Sequence, residues 1–272
     1  MKLKVEYIVL AILFVGMAVF GFSVLNYNSE TIEVNSEAVK SNVSNEKIGW
    51  GLKRAKNHLQ PDLGKKNLDL INKYNGIAMG NSEKKYLYLT FDEGYEAGYT
   101  DKILDTLKAN NVTATFFVTA HYINTASDMV TKMIENGNIV GNHTVNHYSM
   151  PTIDDDKLKK EVMDLHTTVC EKYNYEMKYI RPPKGEYSER TLLMCNNLGY
   201  KTVMWSLAYD DWDEKHQKGE EYAKEKIIGN LHPGAVILLH GNSINNCNVL
   251  DTVIKEAKNM GYEFRSLDNF ER

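Results

Sequence analysis

From residue 85 to the C-terminus, short apolar runs alternate with stretches of helical period, and this alternation limits the fold more than any other feature. The apolar runs are 85–91, 114–119, 138–141, 178–181, 201–206, 235–240 and 262–266, each of strand length. Helical patterns lie between them. One begins at Tyr99. Another runs from Ser127 to Gly137, an N-cap and C′ pair. A third carries Leu158, Val162 and Leu165; a fourth spans Ser188 to Gly199; the last runs from Val249 to Gly261. Seven strands with intervening helices predict an α/β fold with a parallel sheet, either open and doubly wound or a (β/α) barrel of low strand count. Both place ligands at the carboxyl ends of the strands.

The chain of 272 residues is 43% hydrophobic and 25% charged, enough to bury a core. Its formal net charge of -4, with no long basic run, gives no support to nucleic-acid binding. Cys170, Cys195 and Cys247 have no zinc-site spacing and are expected as small, mostly buried side chains.

Ahead of the alternating region, Tyr7–Leu25 contains no charged side chain. As a helix it would span roughly 28 Å, close to the ~30 Å of a bilayer core. Lys2 and Lys4 precede it, so the bulk of the chain is expected on the outer face of a membrane. The run is longer than the apolar part of a signal peptide, and Gly21-Phe22-Ser23 is a weak cleavage site. An uncleaved anchor over residues 1–26 is therefore expected, with cleavage and secretion as the other reading. Residues 27–45, rich in polar residues and without period, read as a linker. Residues 46–83 read as an extension packing on the main domain, 84–272, through Trp50, Leu52, Leu59, Leu63, Leu68, Leu70, Ile71 and Tyr74.

Ionisable residues collect where the strand-end rule puts them. Asp92 and Glu93 end the first run; adjacent carboxylates on a strand point in different directions, so one can bind a metal while the other takes a proton. His143 and His147 follow the third run at i, i+4 spacing, which on a helical turn sets both imidazoles on one side to hold an ion such as zinc. Arg181 opens the stiff turn Arg181-Pro182-Pro183-Lys184-Gly185, where it can grip a carboxylate. His240 ends a very apolar run, and a carboxylate such as Asp211 beside it would favour the imidazolium and prepare a general acid.

Taken together, TFDEGY at 90–95, HTVNH at 143–147, RPPKG at 181–185, Asp211-Trp212 and LLH at 238–240 resemble, in order, the polysaccharide deacetylase family, the NodB-homology domain of carbohydrate esterase family 4. The resemblance covers residues 84–269 and implies a distorted (β/α) barrel of about seven parallel strands. It implies that Asp92 is the general base, that Arg181 orients it, that His240 is the general acid and that Asp211 tunes it. It further implies a divalent ion, zinc first and cobalt, manganese or magnesium next, on His143, His147 and Glu93. The family usually has TFDD where this chain has TFDE, one methylene longer. FDEGYEAGYT at 91–100, QKG at 217–219 and HPGA at 232–235 are similar to the sporulation subgroup that deacetylates muramic acid on the way to the δ-lactam of spore cortex. The implied partner is the peptidoglycan glycan strand, acted on by a monomer. N-acetylglucosamine units of peptidoglycan or chitooligosaccharides are the other substrate reading, and a surface glycan-binding protein with a decayed site is the reading from another class.

Overall fold

Residues 43–272 are described by the computed structural model, and their first element is a two-residue strand, Ile48–Gly49 (β1). The helix Lys65–Lys73 (α1) follows. Ile71 of α1 is buried with Leu63, Tyr74 and Ala78 against Tyr187, Leu192 and Met204. Trp50, Leu52, Leu68 and Leu70 pack around this cluster, but Leu59 is 67% exposed and takes no part in it. Ser44 and Asn45 are not slack linker: the Ser44 carbonyl accepts from the Arg190 amide, and the Asn45 side chain bonds Ser188 and the Pro151 carbonyl. The expected anchor, and the expected linker up to residue 42, lie outside the described residues.

The central strand is Tyr86–Glu93 (β2), buried from Leu87 onward. It leads through helix Thr100–Ala109 (α2) to strand Thr115–Val118 (β3). Helices Ala120–Thr125 (α3) and Ser127–Glu135 (α4) then lead to strand Ile139–Asn142 (β4). Helix Asp155–Tyr173 (α5) precedes strand Tyr179–Ile180 (β5), and strand Glu186–Tyr187 (β6) pairs antiparallel with β1. Helix Glu189–Asn197 (α6), strand Lys201–Thr202 (β7) and helix Glu220–Ile228 (α7) follow. Strand Ala235–His240 (β8), helix Ile244–Asn259 (α8) and strand Glu263–Phe264 (β9) complete the chain.

The main sheet is parallel in every pairing, in the order β7-β5-β4-β3-β2-β8, with β9 also on β2. It has the seven expected strands, curled into a half-barrel. Four are shorter than expected: β3 by one residue at each end, and β5, β7 and β9, which keep two residues each. After β5, Pro182 and Pro183 offer no N–H to a ladder. After β7, the chain divides its pairing: Val203 bridges Ile77, while Leu207 bridges Ile237 of β8 and so links the two ends of the sheet.

Side-chain alternation sorts β2 between two cores. Leu87, Leu89 and Phe91 face the helices, with Phe91 stacked on Phe116. Tyr88 faces the inside of the curl with Phe117, Ile139, Tyr179, Val203 and Val236. The helix over 189–197 begins as its sequence predicts, with Ser188 and Thr191 forming a reciprocal cap. The last helix begins at Ile244, capped by Ser243, well before the expected Val249. Its first turn carries buried Asn245 and Asn246, which break the apolar period by which a helix is read. Of the three cysteines, Cys195 and Cys247 are buried, whereas Cys170 is exposed, and all three are free.

Candidate active site

Asp92 and His240 are in register on adjacent parallel strands, so their side chains leave the sheet side by side at its carboxyl edge. Both line a cavity of about 680 Å³, together with His143, His147, Lys184 and Trp212. This volume falls within the ~300–1,000 Å³ usual for a small-molecule site.

Arg181 organises the floor. It is fully buried, donating from Nη1 to Asp92 Oδ1 at 2.7 Å, from Nη2 to Thr90 Oγ1 at 2.8 Å and from Nε to the Val203 carbonyl at 3.2 Å. Its guanidinium lies over the Phe117 ring, 4.2 Å from the centroid. Burial alone would raise the Asp92 pKa, but the Arg181 guanidinium above all, together with His240, outweighs it and holds the carboxyl below its ordinary value. Asp92 is thus an ionised carboxylate with one oxygen tied and the other facing His143 Nε2 at 3.4 Å.

The histidines meet by a route other than the expected helical turn. Thr144 and His147 both have left-handed backbone, at φ 66 and 57, and the segment is a loop. Polar anchors hold it. Asn142 Oδ1 accepts from the Thr144 amide at 2.8 Å, and Thr144 Oγ1 accepts from the His147 amide at 3.1 Å. Glu161 of α5 accepts from the amide and the side chain of Asn146 at 2.7 and 2.6 Å. The result sets His143 Nε2 and His147 Nε2 3.1 Å apart.

Those two nitrogens fit a divalent ion. The Arg181 carbonyl lies 2.9 Å from His143 Nδ1 and can only accept, so Nδ1 carries the proton and Nε2 the lone pair. Burial disfavours both imidazolium forms, with His143 lowered and His147 held at about 4, and a neutral imidazole is the form that ligates. Glu93 does not join them. β2 continues regularly through Glu93, in register with Val118, and the two-residue period turns its side chain away from the Asp92 face. The residue is 1% exposed, its carboxyl has no hydrogen-bond partner on either oxygen among the described residues, and it lies against Gly241, where any β-carbon would run into it. Burial, then the charges of Glu96 and Asp92, push its pKa well up. Among the described residues no three His, Cys, Asp or Glu side chains form a ready ligand set.

Opposite Asp92, Asp211 holds His240. Its Oδ1 lies 2.7 Å from the ring Nδ1, and its Oδ2 accepts the His240 amide at 2.8 Å. Burial works against the imidazolium, but the Asp211 charge outweighs it and raises the His240 pKa above its ordinary value. Asn246 donates to Asp211 Oδ2 at 2.6 Å and its own carbonyl is tied to the Tyr209 hydroxyl. Thr90, Asn142, Glu161, Tyr209 and Asn246 were not singled out from the sequence. Their only signal there is polarity at apolar-period positions, visible once the burial is known.

An ionised carboxylate and a proton-bearing imidazole therefore face one cavity together with a pair of neutral imidazoles. That arrangement can take a proton from water on one side and deliver one to a departing group on the other. Residues 79–203 match the family model for polysaccharide deacetylase. The chain is 43% identical over 228 residues to the peptidoglycan-N-acetylmuramic acid deacetylase PdaA of Bacillus subtilis, covering 84% of this chain and 87% of that one. This chain belongs to the polysaccharide deacetylase family. The structure of B. subtilis PdaA, a family 4 carbohydrate esterase, matches with a TM-score of 0.82 over 84% of this chain and 98% of that one. A family 4 carbohydrate esterase from Bacillus anthracis matches with a TM-score of 0.71 at 39% identity, over 84% and 97%. A peptidoglycan-N-acetylglucosamine deacetylase of Bacillus cereus is 31% identical over 203 residues, 72% of each chain.

Proposed function

We propose that this chain removes the N-acetyl group from N-acetylmuramic acid residues of peptidoglycan. Asp92, kept anionic by Arg181, takes a proton from a water, and the water oxygen attacks the acetyl carbonyl. His240, kept protonated by Asp211, delivers a proton to the amide nitrogen, since an amine leaves poorly without one. Acetate and a free amino sugar result. Deacetylases of this family are metalloenzymes. A divalent ion, zinc first among the candidates, would be held here by His143 and His147 and would supply Lewis-acid polarisation of the acetyl carbonyl.

The observation that favours the muramic residue is Lys184. Its exposed side chain lines the same cavity as Asp92 and His240, and its backbone is fixed at φ 60 between Pro183 and Gly185. Muramic acid differs from glucosamine by a lactyl carboxylate, for which an ammonium group is the natural partner. The amine released beside that carboxyl can condense with it, an amide forming as the carboxyl oxygen leaves as water, which is the δ-lactam chemistry of spore cortex. The same reading places the enzyme on the outer face of the membrane, tethered by residues 1–26.

Acetate release from peptidoglycan strands, compared with that from N-acetylglucosamine oligomers and followed by mass spectrometry, tests this. Deacetylated muramic residues are expected, with Lys184→Ala eroding the preference. Deacetylation confined to glucosamine units would overturn the reading.

A further inference from the structure

A second cavity, of about 540 Å³, adjoins the active one and shares the walls formed by Trp205, Ala208, Tyr209 and Trp212. Three charged side chains line it: Arg54, Asp210 and Lys226. The Asp210 carboxylate is already taken, by Lys218 on one oxygen and by the Tyr222 hydroxyl on the other at 3.0 Å. Arg54 donates once, to the Ala208 carbonyl at 2.9 Å, and makes no ion pair among the described residues. Lys226 lies over the Tyr222 ring at 4.9 Å, with its sequence neighbour Glu225 3.4 Å away. The cavity therefore presents cationic donors directed by a carbonyl and a ring.

Beyond another wall the charge is reversed. A third cavity, of about 320 Å³, shares Tyr95 and Asn242 with the active one, and its only charged lining residue is Glu214. The active cavity thus shares one wall, at Trp205 and Trp212, with a cationic cavity and another, at Tyr95 and Asn242, with an acidic one. A single amino sugar needs neither flank. A polymer bearing carboxylates would be accepted on one side and repelled on the other.

We propose that the cavity between Arg54 and Lys226 is a second binding site, taking a carboxylate of the glycan polymer outside the reacting sugar. The inference rests on the deacetylase reading above and adds a direction to it. A guanidinium and a carboxylate can pair by two parallel hydrogen bonds, and Trp212, 62% exposed on the shared wall, offers an apolar face to the intervening sugar. Arg54 belongs to the N-terminal extension, outside the residues that match the family model. Trp50 fixes that extension to the same wall, its indole N–H donating to the Trp205 carbonyl at 2.9 Å. The carboxylate has two sources, the lactyl group of the next muramic residue or a stem peptide.

The test is equilibrium binding of defined ligands to the full chain by calorimetry. The ligands are a peptide-free peptidoglycan tetrasaccharide, a disaccharide carrying its stem peptide, and both again with their carboxylates amidated. The variants are Arg54→Ala, Lys226→Ala and the doubly reversed Arg54→Glu/Lys226→Glu. The double reversal is expected to weaken binding of a free-carboxylate ligand by about tenfold or more while sparing its amidated form; each single variant gives a smaller loss. The ligand that shows the loss identifies the source, and loss with both means that either carboxylate is accepted. Unchanged binding, equal loss for the amidated ligands, or no binding of either ligand by the unaltered chain would overturn the proposal. Failure of the deacetylase reading would appear separately, as binding without acetate release.

Discussion

One carboxylate holds His240 at two points: Asp211 meets its ring nitrogen at 2.7 Å and its backbone amide at 2.8 Å. The first contact sets the charge of the imidazole, and the second sets where the strand end lies. Asp211→Asn removes the charge but keeps the shape. The rate falls as pH rises through the His240 pKa, because the acid must carry its proton, and that pKa is raised by Asp211. The variant is expected to shift the alkaline limb of the pH–rate profile to lower pH and to cost about 10²–10⁴ in rate. An alkaline limb that stays where it was would rule out Asp211 as the group that tunes the acid.

The Arg181–Asp92 pair should behave as a unit. Arg181→Met leaves a buried carboxylate without its partner, at a cost of about 3–5 kcal/mol. Asp92→Asn leaves a buried guanidinium and is also expected to destabilise. The double variant should lose clearly less than the sum of the two, measured by denaturant unfolding. Strict additivity would contradict a coupled pair. Apart from stability, Asp92→Asn and His240→Ala should each abolish measurable acetate release in a folded protein.

Glu93 makes a prediction of opposite sign to the usual carboxylate. Its folded-state pKa is raised, so below the unfolded value of about 4.3 both states hold the proton and the group costs nothing through ionisation. As pH rises through the interval up to the folded pKa, the unfolded chain ionises first and stability is lost. Glu93→Gln removes this term. Thermal melts of chelator-treated protein are expected to show the variant's advantage growing from pH 4 to pH 8. A constant difference across that range would mean that Glu93 is not held protonated.

Chelation followed by metal addition addresses the imidazole pair. Acetate release should stop on chelation and return with a divalent ion, and His143→Ala should lower the metal bound per chain, measured by elemental analysis. Glu93→Ala should leave that stoichiometry unchanged, because its side chain lies on the other face of β2. Loss of metal in Glu93→Ala would show that the carboxyl swings to the imidazole side.

The order of elements was legible because burial on both sides of a parallel sheet leaves apolar runs with the right spacing, and a helix period survives wherever its buried face is apolar. The ionisable groups in and behind the active cavity were legible for a related reason: such side chains at or shortly after the ends of apolar runs stand out. Asp92, His143, His147, Arg181, Asp211 and His240 could all be named this way. Sequence spacing alone misled where the backbone leaves a regular period. His143 and His147 meet through left-handed residues held by Asn142 and Glu161, with no helical turn, and the early start of the last helix was hidden by Asn246.

What the sequence by itself determined is the α/β alternation and the set of groups at the strand ends, since both depend on local composition and period. What only the tertiary structure decided is which of those groups share a space. Adjacent residues on a strand face opposite ways, so Asp92 enters the cavity and Glu93 is sealed against Gly241. Contacts across long sequence separations, Arg181 to Asp92 and Arg54 to the wall beside Trp212, follow from the curl of the sheet and leave no trace in any local window.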